Sequence, residues 1–145
     1  MRRLGAHGLA VVVVVVVAGG CGSTKAGGIT KAQYIARANA VCLAYEAKRV
    51  ALSVSAKTLR IAVREINLAQ QQSDVQLQAI PKPGSDPVLS EWLHWRQLAT
   101  GDTKRALDNQ PGSAANQAAS LAEHTDREKA RALAKAYGLT VCYRS

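Results

Sequence analysis

An apolar run near the first residue decides how much of this chain is available to fold. Arg2 and Arg3 precede it, residues 8–17 include seven consecutive valines, and small residues at 18–20 lead to Cys21. A positive start, an apolar centre and a small-residue end are typical of a secretory signal peptide. A membrane-spanning helix needs roughly 20 apolar residues, whereas residues 8–20 supply only 13. We therefore predict a signal peptide at residues 1–20 and no membrane span.

The end of this run, VAGGC at residues 17–21, resembles the lipobox of bacterial lipoproteins. In that family the cysteine receives a thioether-linked diacylglycerol and becomes the first residue after cleavage. The resemblance implies that Cys21 is lipidated, although Ala18 stands where a larger aliphatic residue is more usual. Two acyl chains suffice for stable anchoring, and residues 21–29 then form a flexible tether. An ordinary cleaved signal followed by a chance cysteine is the alternative.

The number of cysteines agrees with a lipidated Cys21. The chain has three, and the other two are Cys42 and Cys142. An odd number in an exported protein requires an explanation, and lipidation of one leaves two that can pair in a compartment that permits disulfides. A bridge closing about 100 residues is worth roughly 4.7 kcal/mol in the chain-entropy model. Two buried free thiols are the alternative.

Composition limits the kind of core that the remaining chain can build. There is no Phe, so the core must consist mainly of Ala, Leu, Val and Ile, which favour closely packed helices. Without Arg2 and Arg3, 17 of the 19 Lys and Arg residues remain against ten acidic residues, a net charge of +7. About 115 residues fit a single domain, and so small a domain benefits from a covalent link.

Capping and turn signals after the tether predict four helices. Thr30 and Gln33 form a capping-box pattern before the first helix, which is expected to end near residues 52–55. It is left open whether the second helix is separate from the first and whether TGD at 100–102 interrupts the third. Turns are marked by PKPGSDP at 81–87 and NQPGS at 109–113. The N-caps are Asp86 and Ser113, and Gly138 suits the left-handed position that ends helix four.

Apolar residues recur at helical spacing within these segments. The second and fourth helices carry Leu59, Ala62, Val63, Ile66, Ala69, then Val75, Leu77 or Ile80, and Ala118, Leu121, Ala122, Ala130 and Leu133. Four helices with short turns favour an all-α, up-down four-helix bundle. We assign it to residues 30–145. In that topology the end of the chain lies beside helix one, so that the Cys42–Cys142 disulfide closes the bundle.

Two segments carry a second resemblance. TKAQYIARANAVC at 30–42 and AKAYGLTVC at 134–142 resemble a group of small exported proteins of high-GC bacteria. Those proteins are lipoproteins or secreted helical domains without an assigned function. The resemblance covers most of the chain beyond the tether and implies the helical fold and the pairing of Cys42 with Cys142. It implies no activity.

The candidate catalytic residues of the chain favour a protein that is not an enzyme. Ser90 and His94 share a helix face but lack an orienting acid and an oxyanion hole. His124 and Glu128 could share a metal ion, but no facing pair of ligands stands out. We therefore predict no catalytic residues, no metal and no cofactor. An envelope hydrolase that uses the dispersed carboxylates Glu123, Asp126 and Glu128 is the less favoured alternative.

Binding is the function class that remains. Trp92 and Trp95 could line a ligand cleft or a partner groove, although aromatic residues more often pack in a core. A basic stripe could form from five residues at helical spacing: Lys48, Arg49, Lys57, Arg60 and Arg64. The simpler interpretation is a solvated face that lies toward anionic lipid. The expected partners are the membrane through the lipid, and an envelope protein or an anionic surface, but not nucleic acid. We expect an extracytoplasmic, lipid-anchored interaction module; a carrier of a small apolar ligand is the alternative.

Replacing Cys21 by serine tests the anchor. We expect Cys21→Ser to abolish partitioning into the detergent phase, because serine offers no thiol for the diacylglycerol. The measurement is detergent phase separation of cell membranes, with Cys42→Ser as the matched cysteine control. A Cys21→Ser protein that stays with membranes would show that the lipobox prediction is wrong.

Overall fold

Four α-helices form almost all of the described structure, a computed structural model that covers residues 28–55 and 58–144. They are α1 (Lys31–Ser55), α2 (Leu59–Ala79), α3 (Pro87–Asp108) and α4 (Ala114–Tyr137). The described residues contain no strand, so the predicted all-α class is confirmed. The TGD segment does not interrupt α3. The signal peptide, Cys21, most of the tether and Lys57 lie outside the described residues.

The helix ends follow the capping chemistry of the sequence. The Thr30 amide donates to the Gln33 side chain and the Gln33 amide donates to the Thr30 hydroxyl, which completes the capping box. Asp86 and Ser113 accept amide hydrogen bonds at the starts of α3 and α4. Gly138 ends α4 with φ +97°, a conformation that glycine adopts without a steric cost. These predicted caps are confirmed.

A further cap separates the first two helices. Thr58 has extended backbone dihedrals, and its hydroxyl accepts a hydrogen bond from the Ile61 amide. The helical hydrogen bonds of α2 therefore start afresh after Thr58, as an N-cap requires. Helices α1 and α2 are consequently two helices, and α1 ends at the predicted Ser55.

A disulfide joins the last residues of the chain to α1. Cys42 and Cys142 are bonded, with their Cα atoms 5.2 Å apart, and both are almost fully buried. The short segment after α4 is also held by Asn39, which accepts from the Val141 amide and donates to the Thr140 hydroxyl. The predicted pairing is therefore confirmed, and the tail follows the first helix for a few residues.

The same end of the domain holds the start of the described chain. Gly28 lies so close to the Lys82 carbonyl, in the loop between α2 and α3, that a Cβ atom would not fit. Nearby, the Tyr34 and Tyr137 rings meet edge to face with their centroids 6.0 Å apart. We call this the joined end, because the disulfide, the chain start and this loop all lie there. Leu77, Leu89, Trp92 and Leu139 fill the core beside it.

Contacts between helices show which neighbours pack together. α1 packs on α2, α2 on α3 and α3 on α4, whereas no Cα of α1 lies within 8 Å of a Cα of α4 in the described residues. Buried alanines on α3 and α4, including Ala99, Ala130 and Ala134, let those two helices approach most closely. The gap between α1 and α4 is bridged by side chains and the tail. The up-down order of a closed bundle stays a prediction.

Some apolar residues assigned to helix faces are not in the core. Leu59, Val75 and Leu121 are 82%, 67% and 68% exposed, so the helical spacing of these apolar residues does not lead to burial. Among the alternatives at the end of α2, Leu77 and Ile80 take the core positions instead. No helix among the described residues is long and apolar enough to cross a membrane.

Loss of the disulfide should destabilise the domain strongly. We expect the double variant Cys42→Ser, Cys142→Ser to lose about 2–5 kcal/mol of unfolding free energy, because the bridge restricts the unfolded chain. That loss lowers the melting temperature of a domain of this size by roughly 10 °C or more. Circular dichroism melts with and without reductant measure it, with Cys21→Ser as the control. If Cys42 and Cys142 react with a thiol reagent before reduction, the pairing is absent.

Candidate functional site

The two tryptophans occupy different environments, and the cavities described below are lined by other residues. Trp92 is 1% exposed and belongs to the core beside the joined end. Trp95 is half-buried, with the Lys129 ammonium 3.8 Å from its ring centroid and the His94 ring against it. A cation over an indole ring is a favourable contact in itself. Binding of a ligand or partner by these tryptophans stays a prediction.

The residues considered for catalysis are divided between exposed positions and half-buried ones, the latter being Glu123 and Asp126. Ser90 and His94 are exposed on α3. The carboxylates of α4 form pairs within the helix: Glu123 with Arg127, Asp126 with Lys129 and Glu128 with Arg131. The described part of the chain contains no group of three metal-ligating side chains that could hold an ion. The arrangement therefore offers ion pairs rather than a converging set of reactive groups.

A buried polar network joins α2 to α3. The Arg96 Nε donates to Asp74 Oδ1 at 2.5 Å, and Arg96 Nη2 donates to the Ser73 hydroxyl at 3.1 Å. Thr100 donates its hydroxyl proton to Asp74 Oδ2 at 2.7 Å. Arg96 and Asp74 are only 3% and 6% exposed. A buried ion pair of this kind costs desolvation and depends on its additional hydrogen bonds, which Ser73 and Thr100 supply here.

Further polar contacts extend the network toward α1. The Tyr45 hydroxyl donates to Gln70 at 2.8 Å, and Asn67 donates to the Thr100 carbonyl at 2.9 Å. Burial raises the pKa of the Tyr45 phenol and of the Asp74 carboxyl, with Arg96 acting in the opposite direction on both. None of these residues is predicted as a functional residue from the sequence. Asn67, Gln70 and Asp74 stand beside apolar positions of α2 in the sequence, but only the packing of α2 on α3 shows that they are buried.

An open cleft lies at the other end of the domain, which we call the open end. Its volume is about 540 Å³, within the range of small-molecule sites. It lies where α2 begins, α3 ends and α4 begins. The lining side chains are Leu59, Arg60, Val63, Thr103, Ala106, Leu107, Pro111, Asn116, Ser120, Glu123 and Arg127. We call this the end cleft; its aliphatic helix residues come from α2 and α3, and its polar residues come from all three helices, with Arg60 on α2 and Thr103 on α3.

The mouth of the end cleft carries a surplus of positive charge. Arg127 pairs with Glu123, and Lys104 pairs with Asp108. The Lys104 ammonium, and more weakly Arg64 and Arg60, lower the pKa of the Asp108 carboxyl. Within the described ranges, neither Arg60 nor Arg64 forms an ion pair with a carboxylate. Of the predicted basic stripe, the described members do not act as one unit, since Lys48 donates to Gln72 and Arg49 pairs with Glu46.

A second apolar surface runs along α1. Leu43, Val50 and Val54 are 61%, 52% and 83% exposed, and with Ala47 they recur at intervals of four and three residues. At 3.6 residues per turn they lie opposite the buried face that contains Tyr34 and Cys42. We call these four residues the outer face of α1. Exposed aliphatic residues with this spacing resemble the surface against which a partner helix packs.

Comparison with known proteins assigns neither surface a role. The chain matches no protein-family model, no curated protein and no solved structure. The resemblance of residues 30–42 and 134–142 to small exported proteins of high-GC bacteria therefore stays a prediction.

Replacing Arg96 should show how strongly the network depends on its charge balance. We expect Arg96→Met to cost about 3–5 kcal/mol of unfolding free energy at neutral pH, because Asp74 is left buried without its counter-charge. Its pKa, already raised by burial, then rises further. When folding raises the pKa of a carboxyl, the unfolding free energy of the protein falls as the pH rises. The cost of Arg96→Met should therefore shrink as the pH falls.

Urea unfolding at about pH 7 and about pH 5 measures this difference. Arg37→Met, at an exposed position on α1, is the control and should change stability by less than about 0.5 kcal/mol. Adding Asp74→Leu to Arg96→Met should recover part of the loss, because the unpaired charge is removed. An Arg96→Met deficit that is the same at both pH values would contradict the charge explanation.

Proposed function

We propose that this protein is a lipid-anchored, extracytoplasmic and non-enzymatic binding module that works at the membrane surface. The end cleft is its binding site, and an apolar ligand is its occupant. The proposed anchor is Cys21, with residues 1–20 as the signal peptide. The resemblance of VAGGC to a lipobox supports this part of the proposal.

The observation that carries the binding role is the apolar lining of the end cleft. Leu59 is 82% exposed, and Val63, Ala106 and Leu107 are half-buried around the same cavity. Burying aliphatic surface lowers the free energy by about 25 cal/mol per Å². An apolar ligand that covers these side chains therefore binds favourably. The cleft is open in the folded domain, so binding needs no unfolding of the core.

The surrounding polar groups favour binding over chemistry. Glu123 is the carboxylate that lines the end cleft, and it is engaged by Arg127. Asn116 donates to the Ala106 carbonyl at 2.7 Å, a contact that holds α4 against the end of α3. A general acid or base needs a free approach to the proton that it transfers, whereas Glu123 is held by Arg127. The polar residues here fix the walls of the cleft instead.

Filling the cleft provides the test. The full-length protein in phosphatidylcholine vesicles is irradiated with a diazirine-bearing decanol, and the labelled peptides are identified by mass spectrometry. We expect label on the peptides that contain Leu59, Val63 and Leu107. Ser120→Trp should reduce that label several-fold, because an indole placed at this exposed lining position occupies the cavity.

The matched control is Ala118→Trp, which adds the same side chain to an exposed position on another face of α4. It should leave labelling of the cleft unchanged. Label confined to the peptide that contains the outer face of α1 would move the binding site there and favour a partner helix. Equal labelling of the cleft in wild type and Ser120→Trp would contradict the proposal.

A further inference from the structure

The positive charge at the mouth of the end cleft indicates the head group of its ligand, which the apolar lining does not. Arg60 lines the cleft at its mouth, beside Leu59 and one turn before Val63. Its Nη2 donates to the Leu107 carbonyl at 2.6 Å, at the last turn of α3. A guanidinium has five N–H donors, so this single bond leaves donors for a further acceptor.

The two arginines that line the cleft differ in their charge balance. Arg127 is neutralised by Glu123 on α4. Arg60 contacts a carbonyl oxygen instead, which carries no full charge, and Arg64 follows it one turn later on α2. The α2 side of the cleft is thus both aliphatic and cationic. That combination complements a molecule with an apolar chain and an anionic head.

The volume of the cleft limits the size of that molecule. About 540 Å³ lies within the range of small-molecule sites, which suits a ligand with a single hydrocarbon chain. A carboxylate suits the arginine because its two oxygens can accept parallel hydrogen bonds from a guanidinium. The carboxylate would lie at Arg60, and the chain would run over Val63, Ala106 and Leu107.

We propose that the end cleft binds a single-chain anionic amphiphile of the fatty-carboxylate class and that Arg60 holds its head group. This inference rests on the proposed function, since it names the ligand of the same cleft. Arg60 retains its bond to the Leu107 carbonyl in the complex. Arg64 contributes through its charge at longer range.

The test compares two photoreactive probes that differ only in their head groups. Diazirine-bearing decanoate and the corresponding decanol are each added to the full-length protein in phosphatidylcholine vesicles. The measured quantity is the ratio of carboxylate label to alcohol label on the cleft peptides. We expect the carboxylate to be preferred in wild type and Arg60→Gln to lower this ratio about tenfold, as loss of one charge-assisted hydrogen bond implies.

Two variants separate charge from stability. Arg60→Lys keeps the positive charge but not the parallel pair of donors, so it should keep part of the preference, whereas Arg37→Gln removes an exposed charge from α1 and should leave the ratio unchanged. Melting temperatures of all variants show whether loss of the Leu107 contact loosens the end of α3. A fall in both labels by the same factor would assign Arg60 a structural role only and overturn the inference.

The outcomes distinguish the inference from the proposed function. If carboxylate and alcohol label the cleft equally in wild type and in Arg60→Gln, the cleft binds apolar chains without recognising a head group. The inference then fails and the proposed function stands. If neither probe labels the cleft, both fail.

Discussion

The disulfide between Cys42 and Cys142 is the constraint on which the rest of the structure depends. It ties the segment after α4 to the second quarter of α1, two parts of the chain whose helices do not approach each other through their backbones. Asn39 adds two hydrogen bonds to the same segment. With few large side chains available for a core, this covalent link supplies stability that burial alone gives sparingly in a small domain. It also makes the two ends of the domain unequal, because the chain start, the tail and the α2–α3 loop are all fixed at one end.

The open end follows from how the remaining helices pack. Alanines such as Ala99 and Ala134 bring α3 and α4 close together, while the Arg96–Asp74 pair fixes how α2 lies along α3. Small side chains allow this close approach but extend little toward the neighbouring helices. At the start of α2, Leu59 is exposed and Val63 only half-buried, and both line the end cleft. The cleft therefore results from the same alanine-rich composition that lets α3 and α4 pack so closely.

Local signals in the sequence predicted the helices and their ends because caps depend on a few neighbouring residues. Thr30, Asp86, Ser113 and Gly138 each act within one turn of the chain, and each acts as expected. Helical periodicity was less reliable for burial. Leu59 and Leu121 have suitable spacing, but whether a helix face is covered depends on the distance to another helix, which periodicity does not contain.

The Arg96–Asp74 pair was missed for a related reason. Charged residues are exposed in most helices, and the burial of these two follows only from the packing of α2 on α3. The end cleft combines residues from three helices and a turn, so no single segment indicates it.

The positions of the two ends bear on how the proposed binding could work. The proposed anchor precedes α1, whereas the end cleft lies near its far end, and 25 helical residues separate the two by about 37 Å. Of the predicted tether at residues 21–29, the part before Gly28 would span at most roughly 25 Å when extended, because Gly28 already lies against the joined end. A domain standing on its joined end would present the cleft away from the lipid, and a domain lying along α1 would bring the cleft toward the head groups.

A fatty carboxylate that leaves a membrane must pass through water, and a cationic mouth attracts it over about 10 Å at ordinary ionic strength. The proposed anchor would keep the cleft within reach of a surface that supplies such a ligand, so that even modest affinity would give substantial occupancy.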